Sequence, residues 1–296
     1  MIFKHLNLYR IGGKVEQDRL EAFLSDNPFV PCLPNQERSA GFPTIVGLDQ
    51  RVFSAQGCML FNLIVQEKII PAAAVKAEYQ KSLQLQERNG VRLKREEKKA
   101  LKEQVRESML PRAFIKNTDL WAYVDNLNKL LVINTSSRKA ADGLAQALRG
   151  VMDEGLIYPI RPQHDVSSRM TFWVSEDQVP EPFTMGYKCM ITDGEGSIRY
   201  SKRSLEDDNL RQYLRSDMSV TEMALDFGIR SSFSLVEDFM IKDFSLSEKT
   251  LAEIDQGNGE PLEQLAGDIV LMRNEVNDLL NSLLNVLGGE PASSIE

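Results

Sequence analysis

Cysteine and histidine are scarce: the 296 residues include three cysteines and two histidines. Cys32, Cys58 and Cys189 are far apart and form no CxxC pair. This argues against a disulfide framework or a zinc site and leaves the thiols as small buried apolar groups. Neither His5 nor His164 sits in a local nucleophile signature, and GxSxG and HExxH are absent. The nearest glycine cluster, "DGEGS" at 193–197, lacks the lysine of a P-loop and reads as a hairpin turn. No apolar run reaches the ~18 residues that a membrane span needs. The opening "MIFKHLNLYRIGGKVEQ" has neither the apolar core nor the cleavage site of a signal peptide. A cytoplasmic protein without a membrane partner, a metal or another cofactor is expected. Repeats are absent, and the tail "GGEPASSIE" is the one low-complexity stretch.

What is present is ordinary globular composition, 42% apolar and 26% charged, long enough for two or three packed units of roughly 100 to 150 residues. The net charge of -8 argues at first against a polyanion partner. Its distribution argues otherwise. Residues 88–116 carry ten basic side chains against four acidic ones, whereas from Glu206 to the end nineteen acids face six bases. Arg92, Lys94, Arg95 and Lys98 lie at the centre of the basic segment. The segment reads either as a face for a polyanion or as a solvated helix laced with i,i+4 ion pairs.

The hydrophobic pattern predicts an α+β fold. "IFKHLNLYRI" is strand-like, and a short helix follows with Val15, Leu20, Phe23 and Leu24 inward. "GFPTIVGL" and "CMLFNLIV" read as strands, the second central. After Pro71 the period changes to a helical pair, in which Val75, Tyr79 and Leu83, then Leu93, Leu101, Val105 and Met109, form a one-sided apolar stripe. Strands return in "LWAYVD" and "KLLVINT", followed by the helix "SSRKAADGLAQALRGVM". The helical pair therefore interrupts a sheet and should project from it. An amphipathic projecting pair needs somewhere to bury Leu93, Leu101 and Val105, so a homodimer contact is expected there. "FTMGYKCMITDGEGSIRYSK" reads as a hairpin, and "TEMALDF" as a further, half-exposed antiparallel strand. The heptad run Leu262, Leu265, Ile269, Met272, Val276, Leu279, Leu283 and Val286 specifies a long helix whose seam is either core or a subunit contact.

The expected architecture is α+β, with mostly antiparallel sheets, an inserted projecting helical pair and a long C-terminal helix. The domain reading is a central sheet domain at 1–71 and 117–170, an inserted basic helical domain at 72–116, an antiparallel β-rich domain at 171–260 and a C-terminal helix at 261–296. Two acidic clusters, Glu206–Asp207–Asp208 and Glu237–Asp238 with Lys242, have the oxygen donors that magnesium wants in a nuclease. The bland reading makes the first a helix cap and the second solvent-facing strand positions. A protein-only scaffold with an acidic partner is a third reading of the basic helices.

In "SMLPRAFIKNTDLWAYVD", residues 108–125, Arg112 stands where a helix gives way to a strand. The helix macrodipole favours a cation at that end. The same residues carry a family likeness. "FKHLNLYRI", "QEKIIP", "MLPRAF", "SIRYSKRSL", "VTEMALDF" and "DIVLMRNEVNDLLNSLLNVLGGE", in this order, resemble the RdgC family of bacterial recombination-associated DNA-binding proteins. The resemblance implies a ring of two subunits joined at both ends. The ring would surround double-stranded DNA without sequence preference, accept single strands as well, and antagonise the RecA recombinase in the nucleoid. It implies that the helical pair is one closure of the ring, that Arg112 contacts DNA, and that Phe114 is an apolar anchor in a pocket beside the closure. It also implies that Lys202 and Arg203 point into the hole. Arg203 departs from the amide expected there, and "SSFSLVEDFMIKDFSLSEK" matches poorly.

Overall fold

The computed structural model describes residues 2–151, 156–252 and 260–291. In chain order, its first half consists of β1 (Asn7–Ile11), α1 (Gln17–Asp26), β2 (Arg38–Gly41), β3 (Phe53–Ala55), β4 (Cys58–Ile69), α2 (Ala72–Arg88), α3 (Arg95–Met109), β5 (Phe114–Asp125) and β6 (Leu130–Asn134). There follow α4 (Arg138–Leu148), β7 (Ile157–Pro159), α5 (Val166–Glu176), β8 (Phe183–Thr192), β9 (Ser197–Ser201), α6 (Asp208–Arg215), β10 (Ser219–Phe227), β11 (Ser231–Val236), β12 (Ile241–Leu246), α7 (Glu248–Leu251) and α8 (Pro261–Val286). The fold is α+β with antiparallel sheets and a long C-terminal helix.

The chain forms two compact units. The first comprises Met1–Ala22, Ile45–Phe61 and Trp121–Glu296, and the second Phe23–Thr44 and Asn62–Leu120. The long strands β4 and β5 contribute residues to both.

In the first unit, β1 lies between β6 and β7, with Leu8 opposite Val132 and Arg10 opposite Tyr158. A second sheet has the order β12-β11-β10-β8-β9. Leu6 exchanges two backbone hydrogen bonds with Ile241, of 2.8 and 3.1 Å, and so joins β1 to the second sheet. The heptad seam of α8 is core within this unit. Ile269, Met272, Val276, Leu279 and Leu283 are all buried in a cluster with Phe3, Tyr123, Met223 and Phe233. Burying such side chains contributes about 2 kcal/mol each, which explains why the 26-residue helix α8 follows an apolar rather than a charged pattern. Side-chain caps mark the starts of other helices: Ser137 Oγ accepts from Ala140 N at 3.3 Å and Asp165 Oδ1 from Ser168 N at 2.8 Å.

Several sequence readings are corrected. "GFPTIVGL" is not a strand; β2 is the four residues Arg38–Gly41, which end where that stretch begins. Pro43 has no N–H to give a ladder, and the chain turns instead, with Gly47 at φ +87 and Ile45 N donating to Gln50 O at 2.9 Å. Strand β10 is buried along most of its length rather than half-exposed, because β8 and β11 flank it and α5 packs on it. Helix α5 has no counterpart in the sequence reading, although Val166, Met170, Trp173 and Val174 have helical spacing and are all buried. Glu237 and Asp238 occupy the turn between β11 and β12 and not strand positions. There Phe239, at φ +62, reverses the chain while burying its ring.

In the second unit, β2 pairs with the end of β4, Arg38 opposite Glu67 and Gly41 opposite Ile64. A Cβ on Gly41 would lie 2.4 Å from the carbonyl oxygen of Pro28, so only glycine fits this backbone crossing. Side-chain amides link β4 to β5: Asn62 Nδ2 donates to Asp119 Oδ1 at 3.0 Å and Gln66 Nε2 to Asn117 Oδ1 at 2.9 Å. Helices α2 and α3 lie between these strands in the chain, so the helical pair is an insertion between neighbouring strands of one sheet.

Candidate nucleic-acid interface

Helix α3 begins with a reciprocal charge arrangement suited to its dipole. Glu96 and Glu97 occupy the first turn, Arg106 the last, and the Glu97 carboxylate accepts the backbone N–H of Lys94 at 2.6 Å. Packing between the two helices is thin. Val75 and Val105 are buried, while Leu93, Leu101, Tyr79, Leu83 and Met109 are only half-buried. The expected stripe exists, and one chain leaves much of it uncovered.

The basic side chains of 88–116 are not laced into ion pairs. Among the described residues, Arg106 alone of them meets carboxylates, Glu37 at 2.9 Å and Glu103 at 3.6 Å. Among the described residues, Arg88 and Arg92 near the turn, Lys94, Arg95, Lys98, Lys99 and Lys102 at the start and along α3, and Arg112 and Lys116 beyond it are all exposed, and the charged ends of their side chains have no carboxylate within 4.0 Å. A solvated, self-neutralised helix would look different. The excess positive charge is unpartnered and available to an external anion.

Arg112 closes a one-turn 3-10 helix, Leu110–Arg112, between α3 and β5. Pro111 removes an N–H and helps end α3, and β5 starts at Phe114. The ring of Phe114 is 76% exposed and Ile115 is 56% exposed. Within the chain Phe114 is therefore not seated in a pocket. It stands at the edge of an open groove of about 460 Å³, lined by Ile69, Ile70, Pro71, Ala74, Met109 and Arg112. A second groove of about 560 Å³ runs past Val75 and Tyr79 to Lys102. Arg112, Phe114, Leu93, Leu101, Val105, Arg92, Lys94, Arg95 and Lys98 thus all belong to the second unit.

Lys202 and Arg203 belong to the first unit, just past the end of β9. Both are exposed, and among the described residues neither makes an ion pair. Lys202 is held at φ +57, and its N–H donates to Tyr187 O at 2.8 Å. The left-handed backbone costs a non-glycine residue roughly 1 kcal/mol or more.

Of the carboxylates considered for metal, Asp207 and Asp238 accept backbone N–H groups. Asp207 caps α6, accepting from Asn209 N at 2.8 Å and Leu210 N at 3.3 Å. Asp238 accepts from Met240 N at 3.2 Å. Glu222 is buried between Lys188 at 2.5 Å and Lys242 at 3.4 Å, and Lys188 also reaches Asp243 at 2.8 Å. Burial alone would raise the Glu222 carboxyl, but the two lysines outweigh it and hold it below its ordinary range. Among the described residues no group of three or more His, Cys, Asp or Glu is placed to hold a metal ion.

Fold and site together define an α+β protein whose antiparallel sheet carries an inserted, cation-rich helical hairpin. The family model described as "Putative exonuclease, RdgC" matches residues 1–290. Similar curated relatives are the recombination-associated proteins RdgC of Shewanella oneidensis, 29% identical, and of Shewanella loihica, 30% identical, each alignment covering 98% of both chains. The chain belongs to the RdgC family. No described helix is long and apolar enough to cross a membrane.

Proposed function

We propose that this protein binds double-stranded DNA without sequence preference, as a ring-shaped homodimer, and restrains RecA-dependent recombination in the nucleoid. The observation that carries the DNA reading is the run of cations from Arg88 to Lys116, which, apart from Arg106, are exposed and without an ion pair among the described residues. Phosphate neutralisation with counterion release needs such side chains and little else. The exposed Phe114 and Ile115 beside an apolar groove support the homodimer, since a two-fold contact places the same ring and the same groove on both copies. The segment 72–116 is then the gate, Arg112, Lys202 and Arg203 contact phosphates, and the protein acts by binding rather than by cutting DNA. The engagement of Asp207 and Asp238 as backbone acceptors favours the non-nuclease reading over the exonuclease description of the family. A salt titration of binding to unrelated duplexes, with the sedimenting species followed in parallel, tests this. Affinities within a few-fold of each other, a steep salt dependence and a dimer are expected. A strong preference for one sequence, a monomer, or magnesium-dependent loss of the DNA would refute it.

A further inference from the structure

Resting on that DNA-binding reading, we propose that Tyr187 is a stacking platform for an unpaired DNA base, which makes the β8–β9 hairpin a single-strand contact within the same protein. The backbone is built to expose this ring. Opposite Ala224 of β10 the register of β8 jumps from Met185, paired with Leu225, to Cys189, paired with Met223. Residues 186–188 therefore oppose Ala224 alone, a bulge that re-aims a side chain. Gly186 makes the bulge feasible, since a Cβ there would come within 2.8 Å of the Ala224 Cβ. The outcome is a tyrosine 68% exposed in a strand whose neighbours Cys189 and Ile191 are fully buried.

A second backbone feature meets the first. The carbonyl of Tyr187 accepts the N–H of Lys202, the residue held in the left-handed region. The left-handed conformation of Lys202 is locally costly, and such strain persists where the surroundings over-determine it, often at functional sites; its backbone bond sets the lysine next to the aromatic residue across the hairpin. Arg203, next in the chain to Lys202, adds an exposed cation with no ion pair among the described residues. Consecutive strand residues point to opposite faces, so the pair Lys188–Ser201 faces the other side of the sheet, where Lys188 is committed to Glu222 and Asp243. An exposed aromatic flanked by cations that hold no carboxylate is the combination that grips single strands: the cations follow the backbone and the ring takes a base. An intact duplex keeps its bases stacked and offers Tyr187 nothing.

Fluorescence anisotropy with a dT oligonucleotide and with a mixed-sequence duplex, on the full chain, tests this. Tyr187→Ala should weaken dT binding on the order of ten-fold and leave duplex binding unchanged, while Tyr187→Phe keeps both. Salt slopes should be equal for all three, because no charge is removed, whereas Lys202→Ala should lower the slope on both DNAs. A 2-aminopurine within the dT strand should be quenched on binding the wild type and Tyr187→Phe and not on binding Tyr187→Ala, which reads stacking directly. Unaltered dT affinity in Tyr187→Ala, equal losses on duplex and dT, or no quenching by the wild type would each overturn the stacking role alone. A wild-type chain that binds neither DNA would overturn the DNA-binding reading itself.

Discussion

Replacing Phe114 by serine separates a role in association from a role in the fold. A phenylalanine side chain buries roughly 150 to 250 Å² when fully covered. With 76% of it exposed in the single chain, about 150 Å² remains for a partner to cover, worth at most about 4 kcal/mol at ~25 cal/mol per Å². If a two-fold contact realises even half of that for each of two rings, Phe114→Ser costs about 4 kcal/mol of association, or roughly a thousand-fold in dimer Kd. The fold should barely register the change, since exposed substitutions away from special features stay within about 0.5 kcal/mol. Sedimentation equilibrium gives the first quantity. Urea unfolding at a concentration where the variant is monomeric gives the second. An unchanged dimer Kd would refute the anchoring argument, and a folded-state loss of several kcal/mol would show that the ring supports its own chain instead.

Three further outcomes follow from the geometry. Replacing Lys94, Arg95 and Lys98 together by glutamine should lower the slope of log affinity against log salt by up to ~0.9 for each phosphate no longer neutralised without moving the unfolding midpoint; an unchanged slope would show that α3 does not touch DNA. Arg230→Ala strands Glu275, 1% exposed and ion-paired to that arginine, and should destabilise the fold by about 3 kcal/mol in urea titration; a loss below about 1 kcal/mol would contradict the burial argument. Glu222 and Asp243 are both held below their ordinary pKa range. Their stability contribution is therefore complete above the unfolded values of about 4.3 and 3.9 and is lost as pH falls through the folded values. Lys188→Met, which leaves Lys242 alone to oppose the burial of Glu222 and removes the partner of Asp243, should weaken that acid loss in unfolding measured from pH 6 to 3, and an unchanged acid limb would refute the sign.

What was legible in the sequence was whatever repeated. The heptad run of α8 is visible because every third or fourth residue from Ile269 to Leu283 is buried by the same cluster. The hairpin of α2 and α3 is visible because proline, an Asn89-Gly90 turn and a change of period mark its limits. "GFPTIVGL" deceived because its apolar content suits a strand while its proline and left-handed glycine forbid one. The site was legible only as charge. Sequence places Arg112, Lys202 and Arg203 among cations but cannot say which cations meet carboxylates, as Arg106 does through Glu37, 69 residues away. Tyr187 left even less trace. Its exposure comes from a register jump against β10, which depends on how two distant strands pair, and the Gly186 before it was the single local hint.

The acidity of the chain is compatible with a polyanion partner because of where its cations find neighbours. Outside the insertion, cations are commonly neutralised in place: Arg10 meets Glu290, Lys188 meets Glu222 and Asp243, Arg230 meets Glu275 and Asp278, and Lys242 meets Glu222. Within 88–116, Arg106 is so engaged and the other basic side chains have no ion pair among the described residues. Charges farther apart than about 8 Å are largely screened at physiological ionic strength, so an approaching phosphate responds to the nearest side chains and hardly to the total of -8. The acidic remainder then acts mainly at low salt, where the Debye length grows to ~30 Å at 0.01 M. There it repels DNA from every surface except the cationic ones, and the net charge serves orientation rather than opposing binding.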